Sequence, residues 1–397
     1  MTKIINLTVH PKHVTKYRNG YPLLHQDAIV NKEALQTKGS IFHLQDERRQ
    51  FIAKGYYGKQ NKGLGWILTD KREEKIDIKF FKKKIETAMS KRKSFYKDEL
   101  TNAFRIFNGE GDGIGGLTID YFAGYYLISW YSEGIYIFKD LVIRVLDELG
   151  NYKAIYEKKR FSSKGQYMEE DDFVKGVRGN FPVIVKENGM SYAVYLNDGA
   201  MVGIFLDQRN VRKAIRDKYA KGKHVLNTFS YTGAFSVAAA VGGAVKTTSV
   251  DLAKRSKSKT IEQFSVNGID YEQQDIKVMD VFDYFKYAQR KQLKFDLVIL
   301  DPPSFARSKK RTFSAAKDYP KLMMDAITIT EKNGVIVAST NNATFGMKKF
   351  KGFIDQAFKE TQSNYKVLEE HSLPYDFQTS RDFPQGNYLK VVIVEKL

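Results

Sequence analysis

Residues 295–305, FDLVILDPPSF, carry the densest chemistry in the chain: an apolar run ending in Asp301, Pro302, Pro303, Ser304 and Phe305. Two consecutive prolines fix the backbone and donate no N–H, which leaves carbonyls and the preceding carboxylate to face a substrate group. Phe305 is placed to stack on a planar ring. Asp-Pro-Pro is also an ordinary turn signal, so its meaning depends on what accompanies it. Upstream, VLNTFSYTGAFS (225–236) reads as a strand, a turn and a helix of small residues, with Asn227, Phe229, Ser230, Tyr231, Thr232 and Gly233 in the turn. A helix starting there points N–H groups at an anion or carboxylate, and glycine lets a ligand approach. Asp251 ends the next strand, where a carboxylate can accept hydrogen bonds from ribose hydroxyls; a helix N-cap is the alternative. Asp280, with Val281 and Phe282 behind it, stands after a third strand, placed either to meet an amino-bearing ring or to cap a helix.

These residues must be held at the ends of neighbouring strands, and the pattern supplies such strands. From residue 211 onward short buried runs (HVLNTF, VKTTSVD, FDLVILD, GVIVAST) alternate with helical stretches, the signature of an α/β sheet. Near the end, YKVLEEHSL and NYLKVVIVEKL read as an antiparallel pair. Residues 1–72 show alternating runs IINLTV, AIV, SIFHLQD, FIAKGYYG and WILTD with glycine punctuation, which predicts a small β-barrel. Helical spacing over 79–97, then strand, helix and strand, predicts an α+β module over 73–178. The stretch 176–190 is expected to pass between domains, and YAVYLNDGAMVGIFLDQ to form a hairpin. The predicted organisation is thus 1–72, 73–178 and an α/β domain over 179–397.

Bulk properties narrow the chemistry. The chain of 397 residues has no cysteine, which excludes disulfides, thiolate metal sites and thiol nucleophiles. His10 and His13 are close, but Pro11 is expected to break the helix that would align them, so no metal site is expected. The net charge of +19 suits a polyanionic partner. It is spread as about +8 over the first 72 residues, near neutral over the next hundred and about +10 beyond. No apolar run spans a bilayer and no signal peptide is evident, so a cytoplasmic protein without membrane contact is the expectation.

The series NTFSYTG, VD, MDVF and DPPSF, with LDQR at 206–209 ahead of it, resembles the nucleotide-methylating branch of class I S-adenosylmethionine-dependent methyltransferases. The order of domains is similar to the bacterial 23S ribosomal RNA methyltransferases of the RlmI and RlmK type over nearly the whole chain. That resemblance implies an N-terminal PUA barrel, a small α+β domain and a Rossmann-like catalytic domain whose seven-stranded sheet has an antiparallel last strand, and it suggests homodimers. It implies S-adenosylmethionine as cofactor, with Gln208 and Arg209 near it, Asn227 to Gly233 around its methionine part, Asp251 on its ribose, and Asp280 with Val281 at its adenine. Asp301 to Phe305 would hold the target base, Asp301 bordering the cofactor as well.

One departure redirects the substrate. Cytosine C5 methylation needs a cysteine to attack C6; where relatives have Ser-Cys-Ser this chain has Ser339-Thr340-Asn341-Asn342. The expectation is therefore a nitrogen target such as guanine N7, on a base that is flipped or unpaired. Arg307, Lys309, Lys310 and Arg311, with Phe313, are expected to grip RNA phosphates beside the target. A second basic stretch, Lys79, Lys82 to Lys84 and Lys91 to Lys93 with Phe95 and Tyr96, reads equally as a solvent-facing helix. The rival readings are a tRNA methyltransferase and a non-catalytic RNA-binding assembly factor.

Overall fold

The computed structural model describes residues 4–60, 63–161, 172–199, 201–307 and 311–397. It divides into two compact units. One comprises Met1–Val183, Tyr195–Val202 and Tyr375–Gly386; the other comprises Ile184–Val194, Gly203–Pro374 and Asn387–Leu397.

The first unit opens with β1 (Ile5–Thr8), α1 (Pro11–Arg18), β2 (Leu23–His25), β3 (Ile41–Gln45), β4 (Phe51–Gln60) and β5 (Gly63–Thr69), in a sheet of order β1-β3-β4-β5-β2. An antiparallel bridge between Val9 and Ile29, with Val30 N–H bonded to the Thr8 carbonyl, joins the two edges and closes the sheet into a barrel. Closure removes the unpaired edges that an open sheet exposes. Two details differ from expectation. The run AIV supplies only that closing bridge, the edge strand being Leu23–His25. Pro11 starts a helix instead of breaking one, because at the first helical position its missing N–H costs nothing and its fixed φ suits the helix. No cluster of His, Asp and Glu among the described residues is placed to hold a metal ion.

The unit continues with α2 (Ile78–Lys91), β6 (Ala103–Asn108), β7 (Leu117–Phe122), β8 (Tyr125–Trp130), α3 (Glu133–Tyr136), α4 (Lys139–Leu149), β9 (Ala154–Lys159) and β10 (Phe173–Gly176). The five strands form one sheet of order β10-β9-β8-β7-β6. Asp77 caps α2 by accepting from the Lys79 and Phe80 N–H groups, and Phe80, Phe81, Ile85 and Ala88 face the core at helical spacing. Arg92, one of the basic residues past that helix, is fully buried. Its guanidinium makes a bidentate pair with Asp112 and donates to the Asp376 carbonyl.

Next comes a hairpin of β11 (Val183–Glu187) and β12 (Met190–Val194), one strand earlier than expected, which from Ile184 onward belongs to the second unit. Asn188 and Gly189 both take positive φ in its two-residue turn, a geometry that Asn-Gly favours. Then come α5 (Arg209–Ala214), β13 (His224–Thr228), α6 (Ala234–Val241), β14 (Lys246–Asp251), α7 (Arg255–Ser265), β15 (Asp275–Val278), α8 (Val281–Arg290), β16 (Phe295–Leu300), β17 (Phe305–Arg307), β18 (Thr312–Ser314), α9 (Ala315–Ile329), β19 (Thr330–Thr340), α10 (Met347–Glu360), β20 (Tyr365–His371) and β21 (Lys390–Lys396). Seven strands form one sheet of order β15-β14-β13-β16-β19-β21-β20, parallel except for β21, which runs antiparallel to both neighbours. The chain reverses its direction of travel across the sheet between β13 and β16. At such a switch point the carboxyl ends of adjacent strands leave a crevice. No helix among the described residues is long and apolar enough to cross a membrane.

Candidate active site

The turn after β13 is strained. Phe229, Tyr231 and Gly233 have φ of 54°, 53° and 80°. For the two non-glycine residues this left-handed region costs roughly 1–2 kcal/mol each, and such strain persists only where the surroundings enforce it. Here Ser230 N–H donates to the Val250 carbonyl (3.1 Å) and Tyr231 N–H to the Asp251 carboxylate (2.9 Å). Thr232 Oγ1 donates to the Gly203 carbonyl (2.6 Å), and the Gly203 N–H donates to the Tyr231 hydroxyl (3.1 Å). A Cβ on Gly233 would lie 2.6 Å from Thr260 Cγ2, so both backbone and packing require glycine. Asn227, fully buried, donates to Ser236 Oγ (2.9 Å), while its Oδ1 has no protein partner.

The two acidic candidates separate. Asp251 is not a helix cap: α7 starts at Arg255, and the Asp251 carboxylate accepts from Tyr231 N–H and from Ala253 N–H (2.8 Å). Asp280 does cap α8. Its Oδ1 accepts from Phe282 N–H (3.0 Å) and Asp283 N–H (3.3 Å), and the adjoining Val281 is buried.

Asp301 follows the last residue of β16 and meets two residues far away in sequence. Gln208 Nε2 donates to Asp301 Oδ1 (3.0 Å) and to Ser339 Oγ (2.8 Å), and the Ser339 side chain also bonds the carboxylate. Burial pushes the Asp301 carboxyl up to about 6, the Asp207 charge adding to it; the bonds from Ser339 and Gln208 and the Arg212 charge oppose the shift. Gln208 is buried, with an Oε1 that has no protein partner. Its segment is braced by a buried pair, Arg212 to Glu187 at 2.7 Å on both oxygens, Arg212 also donating to the Phe205 carbonyl (2.7 Å). Arg209 is buried beside it. Tyr319 fixes the far side by donating to the Ser339 carbonyl (2.9 Å).

Beyond Asp301, Pro302 is buried and Pro303 exposed. Ser304 Oγ donates to Asn341 Oδ1 (2.6 Å). Phe305 is 63% exposed, an unusual state for phenylalanine. It begins a short hairpin of β17 with β18; the buried Phe313 within β18 has its ring 5.6 Å from Phe282 and 6.4 Å from Phe229. The Arg311 guanidinium stacks 4.3 Å from the Phe282 centroid, and Arg307 is exposed. Lys309 and Lys310 lie outside the described residues.

The structure therefore gathers Gln208, Asn227 to Gly233, Asp251, Asp280 and Asp301 to Phe305 at the carboxyl ends of β13, β14, β15 and β16. Sequence reasoning missed Ser339 and Asn341 as partners of Asp301 and Ser304. Their signal was the polar run Ser339-Thr340-Asn341-Asn342 at the end of a buried strand, noted above only for its missing cysteine.

Comparison with known proteins bears on the family. Residues 105–382 match the S-adenosylmethionine-dependent methyltransferase family, and residues 7–70 match a PUA-like domain. The chain is 62% identical over 392 residues, 98% of its length and 99% of the relative's, to the Bacillus subtilis (strain 168) protein YwbD, named there as a candidate ribosomal RNA large subunit methyltransferase. It is 28% identical to ribosomal RNA large subunit methyltransferase I of Aeromonas salmonicida (strain A449), covering 94% of this chain and 95% of that one. Among solved structures, SMU.776, described as a candidate methyltransferase complexed with SAH, superposes with a TM-score of 0.90 at 40% identity, covering 98% of this chain and all of the other. The crevice at the switch point and these likenesses lead to one conclusion: the chain belongs to the S-adenosylmethionine-dependent methyltransferase family.

Proposed function

We propose that this chain methylates a base of large-subunit ribosomal RNA at a nitrogen, guanine N7 in the first place. The observation that carries the reading is Asp301: a carboxylate held by Gln208 and Ser339 at a strand end, next to a rigid turn and an exposed aromatic ring. The relatives named as ribosomal RNA large subunit methyltransferases supply the substrate class. The absence of any cysteine argues for nitrogen over cytosine C5, since no thiolate exists to add to C6.

The residues fit the cofactor. Asn227 Oδ1 and Gln208 Oε1 are buried acceptors without protein donors, which costs stability unless a ligand donor meets them; S-adenosylmethionine brings an ammonium and hydroxyls. On this reading Asn227 to Gly233 hold the methionine part with Gln208 and Arg209 close by, Asp251 the ribose, and Asp280 and Val281 the adenine. The bound cofactor supplies a methyl group already activated on a sulfonium. The protein's part is alignment and exclusion of water. Phe305 stacks on the flipped base, the prolines keep its plane fixed, and Asp301 orients its polar edge. Guanine N7 has a free lone pair and needs no base, so Asp301 orients and does not remove a proton. Of the basic residues expected to grip phosphate, Arg307 is exposed and can reach it, while Arg311 stacks on Phe282 and rigidifies the hairpin.

Mass mapping of ribosomal RNA from a strain lacking the gene tests this. The expected result is one guanosine of the large subunit short of one methyl group, restored by the wild-type chain and not by Asp301→Ala. The Asp301→Ala protein should bind S-adenosylhomocysteine within a few-fold of wild type. Equal loss of both would make Asp301 a cofactor ligand. A deficit confined to tRNA, or on cytosine, would overturn the substrate or the atom.

A further inference from the structure

We propose that Asn341 is a specificity-determining residue that reads the O6 acceptor of the target guanine; this rests on the nitrogen-methylation reading above. Asn341 directly follows β19 and is exposed, yet its amide is held on one side. Ser304 Oγ, from the turn that carries Asp301, donates to Asn341 Oδ1 at 2.6 Å. In this arrangement the Ser304 hydroxyl occupies the carbonyl end of the amide, which leaves the Nδ2 donors as the groups the side chain can offer.

The backbone beneath this amide is pinned at several points. Asn342 N–H donates to Thr340 Oγ1 (3.3 Å), and Asn342 Oδ1 accepts from the N–H (2.8 Å) and Oγ1 (2.7 Å) of Thr344. The Lys390 ammonium donates to the carbonyls of Asn342 (2.9 Å) and Tyr388 (2.6 Å). Lys390 is buried with carbonyl partners, so the lysine fastens this loop to β21. An exposed amide on a fixed loop, oriented by the substrate turn itself, is what discrimination between a base acceptor and a base donor requires.

Guanine presents adjacent acceptors at N7 and O6, whereas adenine replaces O6 with an amino donor. An Nδ2 donor therefore welcomes guanine and confronts adenine with a donor facing a donor. This assigns to Asn341 the selection of the base and to Asp301 the orientation of it. A site built to hydrogen-bond one group rejects an analogue lacking it much more strongly than a purely apolar pocket does.

The test uses the full chain and an RNA oligonucleotide carrying the mapped target site, with guanosine or 2-aminopurine at that position; 2-aminopurine keeps N7 and lacks O6 and the N1–H. Wild type should favour guanosine by roughly tenfold or more in kcat/KM, about the worth of one well-placed hydrogen bond. Asn341→Ala should lose most of that on guanosine and retain only the part of the preference that the missing N1–H of 2-aminopurine accounts for. Asn341→Asp, which turns the donor into a repelling acceptor, should fall further on guanosine. Binding of S-adenosylhomocysteine by both variants, followed by thermal shift, should match wild type, since Asn341 is outside the cofactor turn. If Asn341→Ala keeps the full preference for guanosine, the inference fails while guanine N7 methylation stands. If wild-type product carries its methyl group on cytosine or adenine, the underlying reading fails instead.

Discussion

At the scale of single residues, Asp301 gives the sharpest handle on the site. Its carboxyl, pushed up to about 6 by burial, binds a proton more tightly in the folded chain than in the unfolded one. The sign follows: this stabilising contribution is complete below the ordinary carboxyl range near 3.8 and is lost as pH rises through 6. Above that, the fold holds a charge it disfavours by about 2–3 kcal/mol at most. Asp301→Asn should accordingly raise the unfolding free energy at pH 7.5 and leave it nearly unchanged at pH 4, measured by denaturant titration. Activity should move the other way, wild-type kcat/KM falling as pH drops through 6. A stability gap equal at both pH values would remove burial as the cause. The Asp-Pro-Pro turn was legible because residue type and position after a buried strand suffice to mark it. Its partners were not: Gln208 and Ser339 lie 131 positions apart, and only the parallel pairing of β16 with β19 brings the second beside Asp301. Asp251 and Asp280 likewise look alike in sequence, one ending a strand and the other just past one, each before a helix. Which of them caps the helix depends on where the first turn begins, and the loop sequences do not specify that.

Secondary-structure elements show the same division between local and distant causes. The alternation of strand and helix from β13 to α9 was readable where a strand is a continuous apolar run, as in β16 (FDLVIL), and less so where it is polar, as in β14 (KTTSVD) and β15 (DIKV). The β11–β12 hairpin was missed although Asn188-Gly189 signals it, because the turn pair was read as a passage between domains. The helix α1 was missed because Pro11 was weighed as a breaker when it stands at the helix start. On the proposed reading cofactor binding depends on the strained turn before α6, and Gly233 tests it. Gly233→Ala should weaken S-adenosylhomocysteine binding at least tenfold by calorimetry and cost roughly 1–3 kcal/mol of stability, since φ of 80° and the contact with Thr260 both resist a Cβ. Adding Thr260→Ala should restore part of the stability by removing the clash, without restoring the backbone angle. Full restoration of binding by the second substitution would mean that packing alone, and not the left-handed conformation, makes the residue glycine.

For the whole molecule, the decisive property is charge, and where it sits matters. The formal +19 already nets Arg92 against Asp112 and Arg212 against Glu187, both buried bidentate pairs, so the excess positive charge is carried by other lysines and arginines. That distinction was invisible in composition, as was the membership of Tyr375–Gly386 in the first unit, set by contacts such as Arg105 N–H to the Asp376 carboxylate (2.8 Å) across most of the chain length. Enough exposed lysine and arginine remains to give a measurable prediction. If the basic surface engages RNA phosphates, each neutralised phosphate releases a counterion, and affinity falls as a power of salt concentration. RNA affinity of the full chain should drop roughly a hundredfold between about 50 and 200 mM salt, which corresponds to about four or five phosphate contacts. Affinity for S-adenosylhomocysteine, which on the proposed reading the buried acceptors and the turn govern, should change less than twofold over the same range, because pairs inside a packed site are weakly screened. Arg307→Ala should lower the RNA slope by about one and leave cofactor affinity alone. A flat RNA dependence beside intact cofactor binding would mean that the charge serves solubility, and that the substrate is recognised through the pocket and the aromatic ring of Phe305.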